Sequence, residues 1–365
     1  MSKNCVDSTV EIVNLYKIPI LLIASRRQID SEEFGGGYVN DWNTRTFANY
    51  IKKIDKNNNI ILSRDHGGPW QNNLEIKKNY NLKESMDSCK RSYKEDIDND
   101  FKIIHIDPSI DPFKKLNSKI ILERVKELLL FCHEYAKKKG KEIYFEIGTE
   151  EQSGYTNTFE ELEFSLIEIK KFCVQNNIPK PIFIVVQTGT KVIETENIGT
   201  FDAPIRIKSE IPAEIQVPLA IDICNKYQIM VKEHNTDYLS EEALKWHPRL
   251  GIHAANVAPE FGVTETKSFI DILKKYNLTK EINEFMELSY KSYKWKKWLK
   301  DNTKTTDEEK AIISGHYIFS KKEFKNIKSR TEFKLMQFNI DLDKYLKEQI
   351  KKSIYKYLNN FRLIK

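Results

Sequence analysis

The stretch Ile60-Ile61-Leu62-Ser63-Arg64-Asp65-His66-Gly67-Gly68-Pro69-Trp70 starts as an apolar strand and stops in residues suited to chemistry. The two glycines let the chain turn at once and let a ligand approach the backbone. An imidazole at a strand end is a good ligand for a divalent metal. A carboxylate beside it can pass a proton to or from a metal-held substrate. The same residues also read as a plain turn, with Asp65 capping the glycine loop and His66 packed on Trp70.

Working outward, the pattern repeats. Strand-like blocks occur at Ile20–Ser25, Ile60–Asp65, Lys102–Asp107, Ile143–Glu150, Pro181–Thr188, Gln228–Asn235 and Gly251–Val257. Helical periodicity separates them, clearest at Lys119–Lys139 and at Thr158–Asn176, which opens with a capping box. Strands alternating with helices predict a parallel sheet, because parallel neighbours need crossovers. Each block ends in residues that can hold a metal or a sugar: Arg26-Arg27-Gln28, Asp65-His66, Asp107, Glu150, Gln187, His234-Asn235 and Asn256. An open sheet gathers its ligands at one switch point, whereas a closed barrel draws them from many strand ends onto one face. The expected fold is therefore an α/β protein, a (β/α)8 TIM barrel over residues 1–277. A mainly helical extension, 278–365, is expected to pack on it. The eighth strand is not obvious; Ala311–Phe319 is a candidate that also reads as helix.

Composition narrows the function. The chain has 365 residues with 59 Lys+Arg against 53 Asp+Glu, a formal charge of +6 that demands no polyanionic partner. The basic C-terminal run from Lys351 carries Ile350, Ile354, Tyr355, Leu358 and Phe361 at helical spacing, which predicts a helix with a solvated cationic face, not a nucleic-acid surface. The longest apolar run, Ile18–Ala24, has seven residues, against the ~20 needed to cross a bilayer. The N-terminal residues lack an apolar signal core, and the five cysteines show no C-x-x-C spacing. A cytoplasmic protein with reduced thiols is expected.

A second histidine, in Glu233-His234-Asn235-Thr236-Asp237-Tyr238, ends another strand. Strands two and six lie on opposite sides of an eight-stranded ring. Such a ring is narrow enough for His66 and His234 to share one ion. Two histidines with a strand-end carboxylate form an open three-ligand site. Glu150 is the preferred third ligand and Gln187 a competitor, although Glu150 also reads as a lysine's ion-pair partner and Gln187 as a loop-binding amide. The cofactor expected is a divalent metal, zinc foremost. Asp65 and Glu150 are the candidate catalytic carboxylates. Gln28, Asp107, Gln187, Asp237 and Asn256 are the candidate substrate contacts. His105 reads as a lower-layer support for Asp107, and His133, His247 and His316 as structural. Gly35-Gly36-Gly37 is either a substrate-covering loop or a tight turn; it is not a P-loop.

Taken together, Gln28…Phe34-Gly35-Gly36-Gly37-Tyr38, Asp65-His66-Gly67-Gly68-Pro69, His105-Ile106-Asp107, Ile147-Gly148-Thr149-Glu150, Val185-Val186-Gln187-Thr188-Gly189 and Glu233-His234-Asn235-Thr236-Asp237-Tyr238 resemble the class II tagatose-bisphosphate aldolase subunit family, which includes sugar-phosphate 4-epimerases. Order and approximate spacing agree from about residue 20 to 240. The resemblance implies a TIM barrel with a divalent metal near Asp65, His66 and His234, acting on a ketose phosphate or related sugar. Where the family carries a lysine suited to phosphate, this chain has His253 to Gly262 with Glu260. The expected activity is that of a metal-dependent carbon–carbon lyase (aldolase) or an epimerase. The alternative is a non-catalytic subunit that stabilises a separate aldolase. The expected partners are a sugar or sugar phosphate, and a second copy of the chain or an aldolase subunit, without nucleic acid or membrane.

Overall fold

A computed structural model describes residues 1–149, 159–202, 212–300 and 303–364. Its strands are β1 (Ile20–Ser25), β2 (Ile60–Gly67), β3 (Ile103–Ile106), β4 (Tyr144–Ile147), β5 (Phe183–Val185), β6 (Val192–Ile193), β7 (Glu196–Asn197), β8 (Met230–Glu233) and β9 (Ala254–Ala255). Seven of them form one sheet in the order β1-β2-β3-β4-β5-β8-β9, while β6 and β7 make a small antiparallel hairpin. Every neighbouring pair in the large sheet is parallel, with Ser25 beside Asp65, His105 beside Glu146 and Val185 beside Lys232. All seven predicted strand blocks are present.

Helices supply the crossovers and bury their apolar stripes on the sheet. The helix Ser118–Lys139 begins at Asn117, whose side chain accepts from the Ile120 amide, and stops at Gly140 with φ 62°. It buries Val125, Leu128 and Leu129 completely, worth about 1.5–3 kcal/mol each relative to exposure. The predicted helix at Thr158–Asn176 is observed as Phe159–Gln175; its opening Thr158 lies outside the described residues.

The sheet is curled. Asn256, just past β9, donates from Nδ2 to Asp65 Oδ1 on β2 (3.3 Å), and Lys232 on β8 reaches Glu146 on β4 (2.5 Å). A full eight-stranded ring is not what the ladder describes: it ends at β1 on one side and β9 on the other. The candidate eighth strand, Ala311–Phe319, is instead helical, within Asp307–Ser314 and a 3-10 turn at Gly315–Tyr317. Thr306 and Glu309 close a capping box that starts this helix. Gly315 packs so closely on Thr266 and Phe285 that a Cβ there would clash.

The seam between β1 and β9 is covered by the helices Lys3–Tyr16 and Leu342–Asn360. Cys5 and Ile12 of the first pack with Ile350, Ile354 and Leu358 of the second. A largely apolar cavity of about 540 Å³ remains beneath them, lined by Ile20, Leu21, Ile23, Ala254, Ile354 and Leu358 among others. A separate apolar cluster around Phe269, Phe285, Phe324 and Leu346 holds the C-terminal helices on the helix Pro259–Lys275. All five cysteines are free and buried. Among the described residues no helix is long and apolar enough to cross a membrane.

Candidate metal centre and substrate cavity

At the C-terminal ends of the strands lies a polar cavity of about 630 Å³. Strand alternation alone would turn Asp65 inward and His66 outward. The β2–β3 register shifts between Arg64 and Gly67, so β2 carries one extra residue there. A bulge of this kind re-aims side chains. His66 takes a left-handed conformation, φ 43°, and both Asp65 and His66 line the cavity. The glycines that follow are required by close approach. A Cβ on Gly67 would sit 2.6 Å from the His105 carbonyl oxygen, and one on Gly68 2.2 Å from that of Asp107.

His105 and Glu146 stand side by side on β3 and β4, and Lys232 and His234 follow the same alternation on β8 and its end. Glu146 ties them together. Its Oε2 accepts from Lys232 Nζ (2.5 Å), and its Oε1 lies 3.1 Å from His234 Nε2. His234 is thereby oriented with Nδ1 left without a hydrogen-bond partner among the described residues, as carboxylate partners orient metal-binding imidazoles. His105 Nδ1 accepts the His66 amide (3.0 Å) and lies 3.6 Å from Asp65 Oδ1. Asp65, His105 and His234 each offer a ligand atom, all within 4.8 Å of one another. One carboxylate and two imidazoles suit a divalent transition metal. His105 Nε2 is buried and has no hydrogen-bond partner among the described residues. These residues fit an ion.

Electrostatics agree with the geometry. Burial lowers His234 below its usual value, with the Glu146 hydrogen bond opposing, which favours the neutral imidazole a metal needs. Burial opposes ionisation of Asp65, yet His66, His105 and His234 together hold its carboxyl well below the usual range. His66 differs from its neighbours. Its Nδ1 is 2.7 Å from Asp107 Oδ2, and its side chain remains 43% exposed to the cavity. Burial works against its charge, but Asp65 and the Asp107 hydrogen bond raise it to about 9. Asp107, against burial, is drawn down to about 2 by His66 and also accepts from Ser109 Oγ (2.5 Å).

The other expected contacts divide. Gln28 and Asn256 line the cavity, Gln28 through a side chain whose Oε1 accepts the Ser25 amide (2.8 Å). Asp237 also lines it, but its Oδ1 accepts the amides of Ala258 and Glu260 (2.9 Å each) and so fastens the loop after β9. Gln187 is buried and is not among the cavity-lining residues. Glu150, expected as both ligand and catalytic carboxylate, lies outside the described residues. Arg26, at the end of β1, turns away from ligand duty: it is wholly buried against Asp30, Glu75 and Ser88. Gly35-Gly36-Gly37 forms the tight turn; a Cβ on Gly37 would fall 1.9 Å from the Gln28 carbonyl oxygen. His247 is structural, paired with Glu233 (2.6 Å).

Sequence reasoning placed His105 in a supporting layer and passed over Glu146 altogether. Their signal was parity: His105 shares a face with Asp107, and Glu146 sits in register with His105. It also set aside His316, which lines the cavity with Lys294, Lys297, Trp298 and Tyr317.

No protein-family model matches the chain, and no curated protein sequence matches it. Solved structures do. A protein of Sinorhizobium meliloti 1021 described as a probable tagatose 6 phosphate kinase aligns over 98% of this chain and 97% of its own, with TM-score 0.71 and 14% identity. A fructose-bisphosphate aldolase of Campylobacter jejuni aligns over 100% and 88%, with TM-score 0.54 and 11% identity. A fructuronate-tagaturonate epimerase of Cohnella laeviribosi aligns over 98% and 86%, with TM-score 0.51 and 10% identity. The chain shares the fold of these proteins, as the resemblance in its motifs implied.

Proposed function

We propose that this chain is a metal-dependent enzyme that cleaves or forms a carbon–carbon bond, or epimerises a carbon centre, in a ketose phosphate or related sugar. The observation that carries the reading is the convergence of Asp65, His105 and His234 in a polar cavity beside the His66–Asp107 pair. The aldolase and epimerase among the fold neighbours support it. On this reading the curled sheet is a TIM barrel in which the first and last helices cover the missing eighth strand, and zinc is the foremost cofactor.

A divalent ion bound by Asp65, His105 and His234 would supply polarisation of a substrate carbonyl or hydroxyl oxygen. The chain's own groups do the rest. Glu146, neutralised by Lys232, keeps the His234 ring turned toward the cavity. Asp107 holds His66 by Nδ1, and the ring, raised to about 9 and so cationic near neutral pH, can give a proton to a substrate oxygen and take it back. Asn256 Nδ2 fixes the Asp65 carboxylate from across the seam. Both retro-aldol cleavage and epimerisation by cleavage and rejoining need this same proton traffic.

The test is elemental analysis of the purified protein and of Asp65→Asn, His105→Gln and His234→Gln, followed by incubation with ketose phosphates and divalent metals. Wild type should carry about one equivalent of metal, each variant far less, and NMR should show triose products or epimers from wild type alone. Full metal content in all three variants would overturn the proposal.

A further inference from the structure

Two segments remote in sequence bring positive charge to the same cavity. Arg27 follows β1, and Lys294 and Lys297 belong to a 3-10 turn, Lys294–Trp298, after the helix Thr279–Tyr290. The wholly buried cations Arg26, Arg64 and Lys232 are each matched: Arg26 by Asp30 and Glu75, Arg64 by Asp96, Lys232 by Glu146. Arg27, Lys294 and Lys297 have no such carboxylate among the described residues. The Arg27 Nε is buried and has no hydrogen-bond partner there either.

Lys297 is held in place by aromatic rings. Lys297 Nζ lies 4.4 Å from the ring centre of Trp298 and 5.5 Å from that of Tyr317. Trp298 Nε1 donates to the Tyr317 hydroxyl (3.0 Å), and the Tyr317 ring packs against that of Tyr38, tilted, with centres 4.7 Å apart, so the platform is braced from three segments. Lys297 meets cavity water but is hemmed in by protein. Desolvation, then repulsion from Arg27 and Lys294, brings it down to about 7. Lys294 is lowered by burial and by Lys77, Lys321 and Arg27. Like charges gathered without a counter-charge oppose folding unless a ligand supplies one.

We propose that Arg27, Lys294 and Lys297 form the subsite for a phosphate monoester on the substrate, within the cavity that holds Asp65, His105 and His234. A guanidinium fork with two ammonium groups suits the several oxygens of a dianion; one guanidinium would serve a carboxylate. The inference rests on the reading of this cavity as a sugar site and narrows that reading to phosphorylated sugars. It also places two of the three phosphate contacts on the C-terminal helical segment, in place of the lysine that the motif resemblance led one to expect within His253–Gly262.

Titration calorimetry on the full chain, with inorganic phosphate and with acetate, tests it. Phosphate should bind at least ~10-fold more tightly than acetate. Lys297→Gln and Arg27→Gln should each weaken phosphate by at least ~10-fold and together abolish binding. Lys297→Arg should restore most of it, and the circular dichroism spectrum should not change. Equal affinity for acetate would overturn the phosphate assignment. Unchanged phosphate affinity in the double variant would overturn the subsite. Metal content, measured on the same samples, separates this from the proposal above. Phosphate binding without metal uptake leaves the subsite standing and removes the metal reading, and metal uptake without phosphate binding does the reverse.

Discussion

His66 bears the conformational cost of the site. A left-handed backbone at a residue with a Cβ costs about 1–3 kcal/mol, and here the bulge in β2 and the His105 acceptor hold it in place. The expected benefit is a ring aimed by Asp107 at the substrate. Asp107→Asn should therefore lower turnover by ~10²–10⁴ while metal content stays at the wild-type level. Equal loss of metal and activity would instead make Asp107 part of the ion's support. Gly148 supplies a second test. A Cβ there would lie 2.6 Å from His105 Nε2, so Gly148→Ala should push the ring aside and weaken metal binding at least ~10-fold, in line with lost supporting contacts around metal ligands. Metal titration of the variant reads this directly. Asp65, His66, Asp107 and His234 were legible because each closes an apolar run. His105 and Glu146 were not, since a polar residue within a strand gives no sign of which neighbours share its face until register is known.

Among the elements, every strand of the large sheet could be read from its apolar run, with Ile20–Ser25 matching to the residue. Ala311–Phe319 could not, because nine residues rich in apolar side chains satisfy either period. The capping box ahead of it, Thr306 with Glu309, was the discriminating signal. The loops after β1 and β2 are held by charge in the interior. Arg26 bridges Asp30 and Glu75 and reaches the Gly68 carbonyl, while Ser92 and Asn72 also bind Asp30. Removing one member leaves the others buried and unbalanced, so Glu75→Gln should destabilise by about 3–5 kcal/mol. The urea midpoint measures it; a shift below a fifth of that would show the network to be dispensable. The arginines at the end of β1 thus divide the work, Arg26 fixing the loop and Arg27 facing the cavity.

For the molecule as a whole, stability should carry the mark of Asp237. Burial pushes its carboxyl up to about 7; the amides of Glu260 and Ala258 pull against this, and the Glu260 charge reinforces it. Tyr238 and Tyr357 also face it, both raised by burial first and then by its charge. An unfolded aspartate titrates near ~3.9, so the folded chain holds the extra proton between the two values. This group's contribution is therefore greatest below about pH 4 and declines as pH rises to about 7. Urea midpoints between pH 5 and 7.5 should fall, and Asp237→Asn, which keeps the Oδ1 acceptor, should remove that slope. An unchanged slope would place the cause elsewhere. Closure depends equally on the last helix: Ile354 is buried on the first helix, and Ile354→Ala should cost about 2–5 kcal/mol. The order of synthesis gives this seam a further meaning. Strand β9 leaves the ribosome ~5–20 s before the helix Leu342–Asn360, at ~5–20 residues per second. Throughout that interval the nascent sheet presents two raw edges, β1 and β9, to every other polypeptide nearby. A message cut short ahead of Leu342 would make that exposure permanent, and its product should be recovered from cells in inclusion bodies rather than as a less stable soluble protein.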